Sequence, residues 1–534
     1  MDSRISDLQK RAGHLFSARG GLTSLWQEIA ELCYPERADF FGATALGRDF
    51  AAHLTTSFPL IARRDLGNGL GSLLRQESRE WFKVTTSRED RLGHEGKQWL
   101  EWAGGVQRRA MYDPVASLRR ACKEGDHDYI AFGQCAISAE LNVGQNALLY
   151  RNWHLRDIAW AENSEKKIDV IYHKMKVQSR EMARLYPKTC GPLIKQMADK
   201  DPFREVEVCR AILPAGMWDK KFPQPYVSIR WSTEGNVLLE EIGSWTTAYV
   251  IPRWQTLSQS QYGLSPAMVA GLPDVRLLQA MARTLLDAGE MIVRPPLLSV
   301  HDAIRGDYNI FAGGITKVQA EYDERLGEVL RPISNDSRGF PIGLEMAQDV
   351  RQMITKAFYL DKIHPPLLDK QMTAYEYSKL IEGWVIDAAP LFDPTETEYN
   401  GQLCEQTFEI LLRSGAFGNY IPRSLGGENV TFVFSSPIKD AIDKQSSGKL
   451  MEARQLLAAV ADVDPASAFV VDWKGLFRTA AEAIVPMKSI RSDQDVETMA
   501  RMQAEQAQQA QQLAAIQQGS EAVRNLGIAG KTAA

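Results

Sequence analysis

Residues 262–296 read YGLSPAMVAGLPDVRLLQAMARTLLDAGEMIVRPP, and their spacing decides the fold. Ser265-Pro266 is a helix start: a hydroxyl able to cap the first free amides, then a ring whose fixed φ suits the first helical position. From Val275 the apolar residues fall at 275, 278, 282, 285, 289 and 292, in alternating steps of three and four. That spacing keeps one face of a helix apolar. Arg276, Arg283, Asp287 and Glu290 occupy the opposite face. Arg294-Pro295-Pro296 ends the run, because proline cannot donate a backbone hydrogen bond. The expected helix spans 274–293 and is ~30 Å long at its usual rise per residue.

Downstream, Gly306, Gly313-Gly314, Gly327, Gly339 and Gly343 punctuate residues 297–343, with short strands expected at 297–300, 308–311 and 328–333. A second helix is expected over 344–360, with Met346, Val350, Ile354 and Phe358 on one face. Asp361 to Lys370 contains Pro365-Pro366 and cannot be a regular helix. Thr373-Ala374-Tyr375-Glu376 has the capping-box spacing and restarts helix. Thr395-Glu396-Thr397-Glu398 reads as another such start, for a helix ending before Gly415.

Upstream, residues 2–33 are helical, broken at Gly20-Gly21 and stopped by Pro35. Helices follow at 60–76 and 97–112 with a short strand, Trp81 to Val84, between them. A helix over 114–134 begins at Asp113-Pro114 and leads to paired strands at 136–141 and 147–153. Period-two alternation at 168–174, 206–212 and 226–231, then at 237–242 and 247–251, marks a β meander interrupted by one helix near 178–185. The class is α+β, mainly helical. Residues 494–518 are rich in Gln and Ala, a helix with little apolar face, and the last fifteen residues are Gly/Ala-rich.

A chain of 534 residues divides into about three or four modules. Its 44% hydrophobic and 24% charged residues are those of a folded protein, and its formal net charge is −5. A protein that grips nucleic acid over its surface carries a Lys/Arg surplus. None exists here, so DNA is either no partner or one that moves past without sticking. Cysteines 33, 122, 135, 190, 209 and 404 show no C-x-x-C spacing and are expected to be reduced and mostly buried. Asp2, Asp7 and Glu28 and the lack of an apolar core argue against a secretory signal, and no run of about 18 uncharged apolar residues suggests a membrane helix. Folding and assembly in the cytoplasm are expected.

Chemistry is sparse. Ser446-Ser447-Gly448-Lys449-Leu450 lacks the first glycine and the magnesium-binding hydroxyl of a phosphate loop, and reads as a turn. His94-Glu95 has no second histidine at the zinc-helix spacing. His173, in an alternating strand, reads as a surface or core residue rather than a ligand. No G-x-S-x-G elbow occurs, and Asn429-Val430-Thr431 matches a glycosylation acceptor without a secretory route. No catalytic residue, metal or cofactor is assigned, and a structural or binding role is favoured.

The order of elements (helical and β material, a long helix, a Gly-rich insert, a second helix, a Pro-broken loop, a third helix) resembles the portal family. Local strings are similar to its short-tailed-bacteriophage head-tail connector branch: Tyr262-Gly263-Leu264-Ser265-Pro266 before the first helix, Pro295-Pro296-Leu297-Leu298 after it, and Gln371-Met372-Thr373-Ala374-Tyr375-Glu376 after the loop. Pro225-Tyr226-Val227-Ser228-Ile229-Arg230-Trp231, Trp81-Phe82 and Ile130-Ala131-Phe132-Gly133-Gln134-Cys135-Ala136 resemble further family strings. They cover roughly residues 60–410, and the segment after about 430 is placed by position alone.

The resemblance implies a portal fold: a wing at 1–260, a first stem helix at 261–294, a small α/β clip at 295–343, a second stem helix at 344–360, a tunnel loop at 361–372, connecting helices at 373–430 and a helical crown with the Gln/Ala-rich helix at 431–534. It implies a closed homo-oligomeric ring of typically twelve copies at one capsid vertex of the virion, double-stranded DNA in the channel, and terminase motor, major capsid, scaffold and tail-adaptor partners, without membrane insertion. Arg276, Arg283, Asp287 and Glu290 would line the channel, and Lys362, His364 and Lys370 of the loop would touch DNA. Two other readings stay open: a different virion ring or tail-adaptor protein, lacking a clip between two helices, and a large cytosolic enzyme, which would show a deep polar pocket.

Overall fold

The computed structural model describes residues 3–42, 47, 49–88, 92–218, 222–299, 330–332, 339–364, 366, 373–418, 420–427, 429–436, 439, 475, 478 and 487–510. In chain order the elements begin with α1 Ser3–Ala18, α2 Gly20–Cys33, α3 Phe58–Leu74, β1 Phe82–Thr86, α4 His94–Met111 and α5 Leu118–Phe132. The strand-rich part follows: β2 Ala136–Leu141, β3 Leu148–Trp153, β4 Ile158–Glu162, β5 Ile168–Gln178, α6 Ser179–Leu185, α7 Gly191–Lys200, β6 Glu205–Pro214, β7 Tyr226–Ser232, β8 Val237–Ser244 and β9 Tyr249–Val250. The chain continues through α8 Leu272–Val293, β10 Leu297–Ser299, β11 Leu330–Pro332, α9 Gly339–Ala357, α10 Ala374–Pro394, α11 Gly401–Arg413 and β12 Val430–Phe434. They fall into two compact units. The larger holds Met1–Trp81, Gln107–Ala416 and Phe434–Asp443, and the smaller Phe82–Val106, Phe417–Val433 and Lys444–Ala534.

In the larger unit β4 to β8 form a five-stranded antiparallel meander in chain order. Period-two alternation gives it two apolar faces. On one, Tyr172, Ala211, Ile229 and Trp231 meet Ile5, Leu8 and Ala12 of α1. On the other, Val206, Val208 and Leu239 meet Met182, Cys190 and Ile194 of α6 and α7. The single helix expected near 178–185 is thus a helix pair. The second member opens at Gly191-Pro192, with the proline in its first turn, where it is well tolerated. β2 pairs with β3 and β9 in a separate sheet.

Two expected starts are displaced. Asp113 does cap a turn, its Oδ1 accepting from Val115 N at 2.9 Å, but that turn covers only Pro114–Ala116. Ser117, at φ 57°, then redirects the chain before α5. Thr395 starts no helix: it is buried and its hydroxyl donates backwards to the Leu391 carbonyl at 3.3 Å. Residues Thr395–Asn400 form a wide π-turn that carries α10 into α11. At the end of α3, Arg75 is ion-paired with Asp126 of α5, donates to Asn400 Oδ1 at 2.9 Å and lies 4.6 Å over the Tyr399 ring, all inside the core. All six cysteines are buried and free.

In the smaller unit β1 pairs with β12, Phe82 lying 6.0 Å from Phe432. Trp99, Trp102 and Phe417 pack edge to face or tilted, with centroids 5.9–6.3 Å apart. Residues 493–510 of the Gln/Ala-rich stretch are helical and almost wholly exposed, as their weak apolar face implies, and 511–518 lie outside the described residues.

Candidate functional site

Two strings far apart in sequence build the root of the long helix. Gly263 N donates to Gln134 Oε1 at 2.8 Å, and Trp254 N donates to the Gly133 carbonyl at 2.8 Å. Gly133 ends α5 at φ +74°, and a Cβ there would lie 2.4 Å from the Leu264 carbonyl carbon. Only glycine permits both the dihedral and the approach. Ser265 Oγ then accepts from Met268 N at 3.1 Å, the cap expected from the sequence. A π-turn over Ala267–Gly271 leads into α8, which starts at Leu272 rather than 274.

α8 and α9 lie antiparallel. Gly343 sits against Leu285, Gly289 faces Phe340, and Gly271 faces Phe358, so positions pair in reverse order along the two helices. Beyond α8 the chain runs into β10, which pairs antiparallel with β11 in the register Leu297↔Pro332 and Ser299↔Leu330, and α9 follows. The two outer strands expected in the insert are therefore present, and the one at 308–311 lies outside the described residues. α9 begins at Gly339, five residues before the expected start, and ends at Ala357. Pro341 falls in its first turn, where a missing N–H costs nothing. The insert between the helices is correspondingly shorter than 295–343.

Burial follows the predicted seam of α8 and fades along it. Val275 and Leu278 are buried, Ala282, Leu285 and Gly289 half-buried, and Ile292 exposed. On α9 the buried line is Ala347, Val350 and Ile354, with Phe358 just beyond. Met346 is 54% exposed, which corrects its place on that face: it precedes Ala347 by one residue, a rotation of about 100° away from α8.

Arg283, Asp287 and Glu290 are exposed on α8. Arg276 is engaged instead, its guanidinium donating to both Glu28 oxygens of α2 at 2.6 and 2.7 Å. That bond holds the Glu28 carboxyl below its usual range. One turn on, Gln279 Oε1 accepts from Thr55 N at 2.9 Å and its amide donates to the Thr56 carbonyl at 3.0 Å. α8 carries three carboxylates against two guanidiniums, and α9 two acidic against two basic residues, so the hairpin has no cationic excess.

After α9 the chain turns at Tyr359, φ +53°. Ile363 is buried, His364 is exposed, and Lys362 Nζ lies 3.6 Å from Asp387 of α10. Lys370 lies outside the described residues. Thr373 and Glu376 form the expected box: Thr373 N donates to Glu376 Oε2 at 2.8 Å and Glu376 N to Thr373 Oγ1 at 3.2 Å. Gly69, Ile363 and the Trp384 indole come together at this turn without any signature in the sequence. Their spacing carries no local signal, because the contacts join three distant elements.

Among the described residues no three His, Cys, Asp or Glu side chains gather as metal ligands, and no helix is long and apolar enough to cross a membrane. His173 is a core residue: Nδ1 lies 2.7 Å from the Tyr249 hydroxyl, and burial pushes its pKa down to about 3.

The chain is similar to the "Probable portal protein" of Bordetella phage BPP-1, 24% identical over 539 residues covering 97% of this chain and 95% of that one. It is also similar to the "Portal protein" of Salmonella phage epsilon15, 22% identical over 426 residues covering 76% and 74%. Among solved structures, a chain of the "Virion of native gene transfer agent (GTA) particle" aligns with 82% of this chain and 95% of its own at 9% identity and a TM-score of 0.33. The family model described as "Bacteriophage head to tail connecting protein" matches residues 6–490. That match spans nearly the whole chain and includes the α8–α9 hairpin, and the chain belongs to the bacteriophage head-to-tail connecting protein family.

Proposed function

We propose that this protein is the portal subunit of a short-tailed bacteriophage, a structural component of the unique capsid vertex through which double-stranded DNA is packaged and ejected. The observation that carries the reading is the antiparallel α8–α9 hairpin, with its antiparallel β10–β11 pair and charged outer stripe, in a chain whose family match spans 6–490. Copies, typically twelve, close into a ring by a head-to-tail contact of the kind cyclic symmetry requires. The hairpins form the stem, residues 295–338 the clip, residues 1–260 the wing, 361–372 the tunnel loop, and the chain after 430 the crown.

The physics of passage favours such a wall. Each fixed cation touching a phosphate adds a salt-sensitive grip, so a channel that lets a duplex slide must keep few of them. A stem whose acids match or outnumber its bases repels the backbone weakly and evenly. Arg283, Asp287 and Glu290 are assigned to the bore, Arg276 to the root of the stem, and Lys362, His364 and Lys370 to transient phosphate contacts. The subunit performs no chemistry: a terminase motor supplies the work, capsid and scaffold proteins hold the wing, and tail adaptors dock at the clip. Assembly takes place in the host cytoplasm. Capsids assembled without this chain should contain no DNA and bear no tail, and gold labelling of complete particles should mark one vertex, the tailed one. DNA-filled, tailed particles lacking the chain would overturn the reading.

A further inference from the structure

The turn after α9 is held in place from two sides. Ile363 is the sole large apolar residue between Leu360 and Pro365, and it is 4% exposed. It fits because position 69 of α3 is glycine: a Cβ there would lie 2.2 Å from Ile363 Cδ1. Glycine is a poor interior helix residue, so its presence serves the seat rather than the helix. On the other side, Trp384 Nε1 of α10 donates to the Lys362 carbonyl at 2.9 Å. Trp384 is 8% exposed, and without that carbonyl its N–H would be buried unpaired. Between them the backbone folds tightly, with Leu360 N donating to Thr355 O at 3.1 Å and Lys362 N to Tyr359 O at 3.0 Å. The left-handed φ of Tyr359 is uncommon for a bulky residue and is kept only where the surroundings impose it. The Tyr359 ring lies 6.1 Å from Trp254. The Lys362–Asp387 pair is open to solvent and contributes little by comparison. His364 is the first exposed side chain beyond the seat.

We propose that Gly69, Ile363 and Trp384 are positioning residues that fix the base of the DNA-facing loop. The loop's hold on the duplex then depends on this anchor as well as on its own charges. The inference rests on the reading that residues 361–372 face DNA.

The test uses the full-length chain and particles built from it. Ile363→Ala and Trp384→Phe should each speed hydrogen exchange of the Leu360 and Lys362 amides by about tenfold, the scale of one lost contact. Amides at 350–354 inside α9 should be unchanged. Gly69→Ala should act likewise, and adding Ile363→Val, which removes Cδ1, should restore protection. Particles carrying the anchor variants should retain less full-length DNA. Lys362→Gln with Lys370→Gln serves as the comparison. Unchanged exchange in the anchor variants overturns the anchor. Raised exchange with normal retention, while the lysine variant loses DNA, also overturns its role. Normal retention in both sets overturns the DNA-facing reading of the loop, and the inference with it.

Discussion

Gly133 shows how one residue joins distant strings. Its carbonyl accepts from Trp254, and its missing side chain lets the Leu264 backbone pass. Gly133→Ala must distort backbone, not a yielding side chain, and should lower unfolding stability by about 2–4 kcal/mol in denaturant titration. His173 has a pH signature. Its folded pKa, near 3, lies below the ordinary value of about 6.5, as does that of His127, which burial takes to about 4. Each therefore contributes stability that is full above pH ~6.5 and is lost as pH falls toward the folded value, because the unfolded chain takes up the proton first. His173→Gln should make stability less steep between pH 6 and 4, by up to about 1.4 kcal/mol per pH unit, as measured by urea midpoints at a series of pH values.

At the scale of elements, the α8–α9 hairpin supplies its own control. Leu278 is fully buried in the seam and Leu286 is 60% exposed on the same helix. Leu278→Ala should cost about 2–5 kcal/mol of unfolding stability, and Leu286→Ala less than about 0.5 kcal/mol in the isolated subunit. Thr373→Ala removes the capping hydroxyl and should cost about 1 kcal/mol, seen as faster exchange in the first turn of α10. The same contrast explains what could be read in advance. The seam of α8, the capping box and the alternation of β5 to β7 are local patterns, written into neighbours along the chain. Met346 was misplaced because the line of contact on α9 is set by α8, one residue away from the most regular apolar spacing. Thr395 carried a helix-start signature, yet burial turned its hydroxyl backwards. The ion pair of Arg75 with Asp126 and the seat of Ile363 on Gly69 join residues 51 and 294 positions apart, and no window of sequence contains either.

For the whole molecule, net charge bears on the proposed function. In the proposed ring, a net charge of −5 per chain would be repeated in every copy and would oppose adhesion of duplex DNA. In that ring the exposed Arg283, Asp287 and Glu290 of α8 would face the bore. Electron microscopy of the purified full-length protein, viewed down its symmetry axis, tests for that ring most directly. The account predicts closed rings with a central bore wide enough for a duplex. Separate globules with no bore, at concentrations where the protein is fully folded, would contradict it.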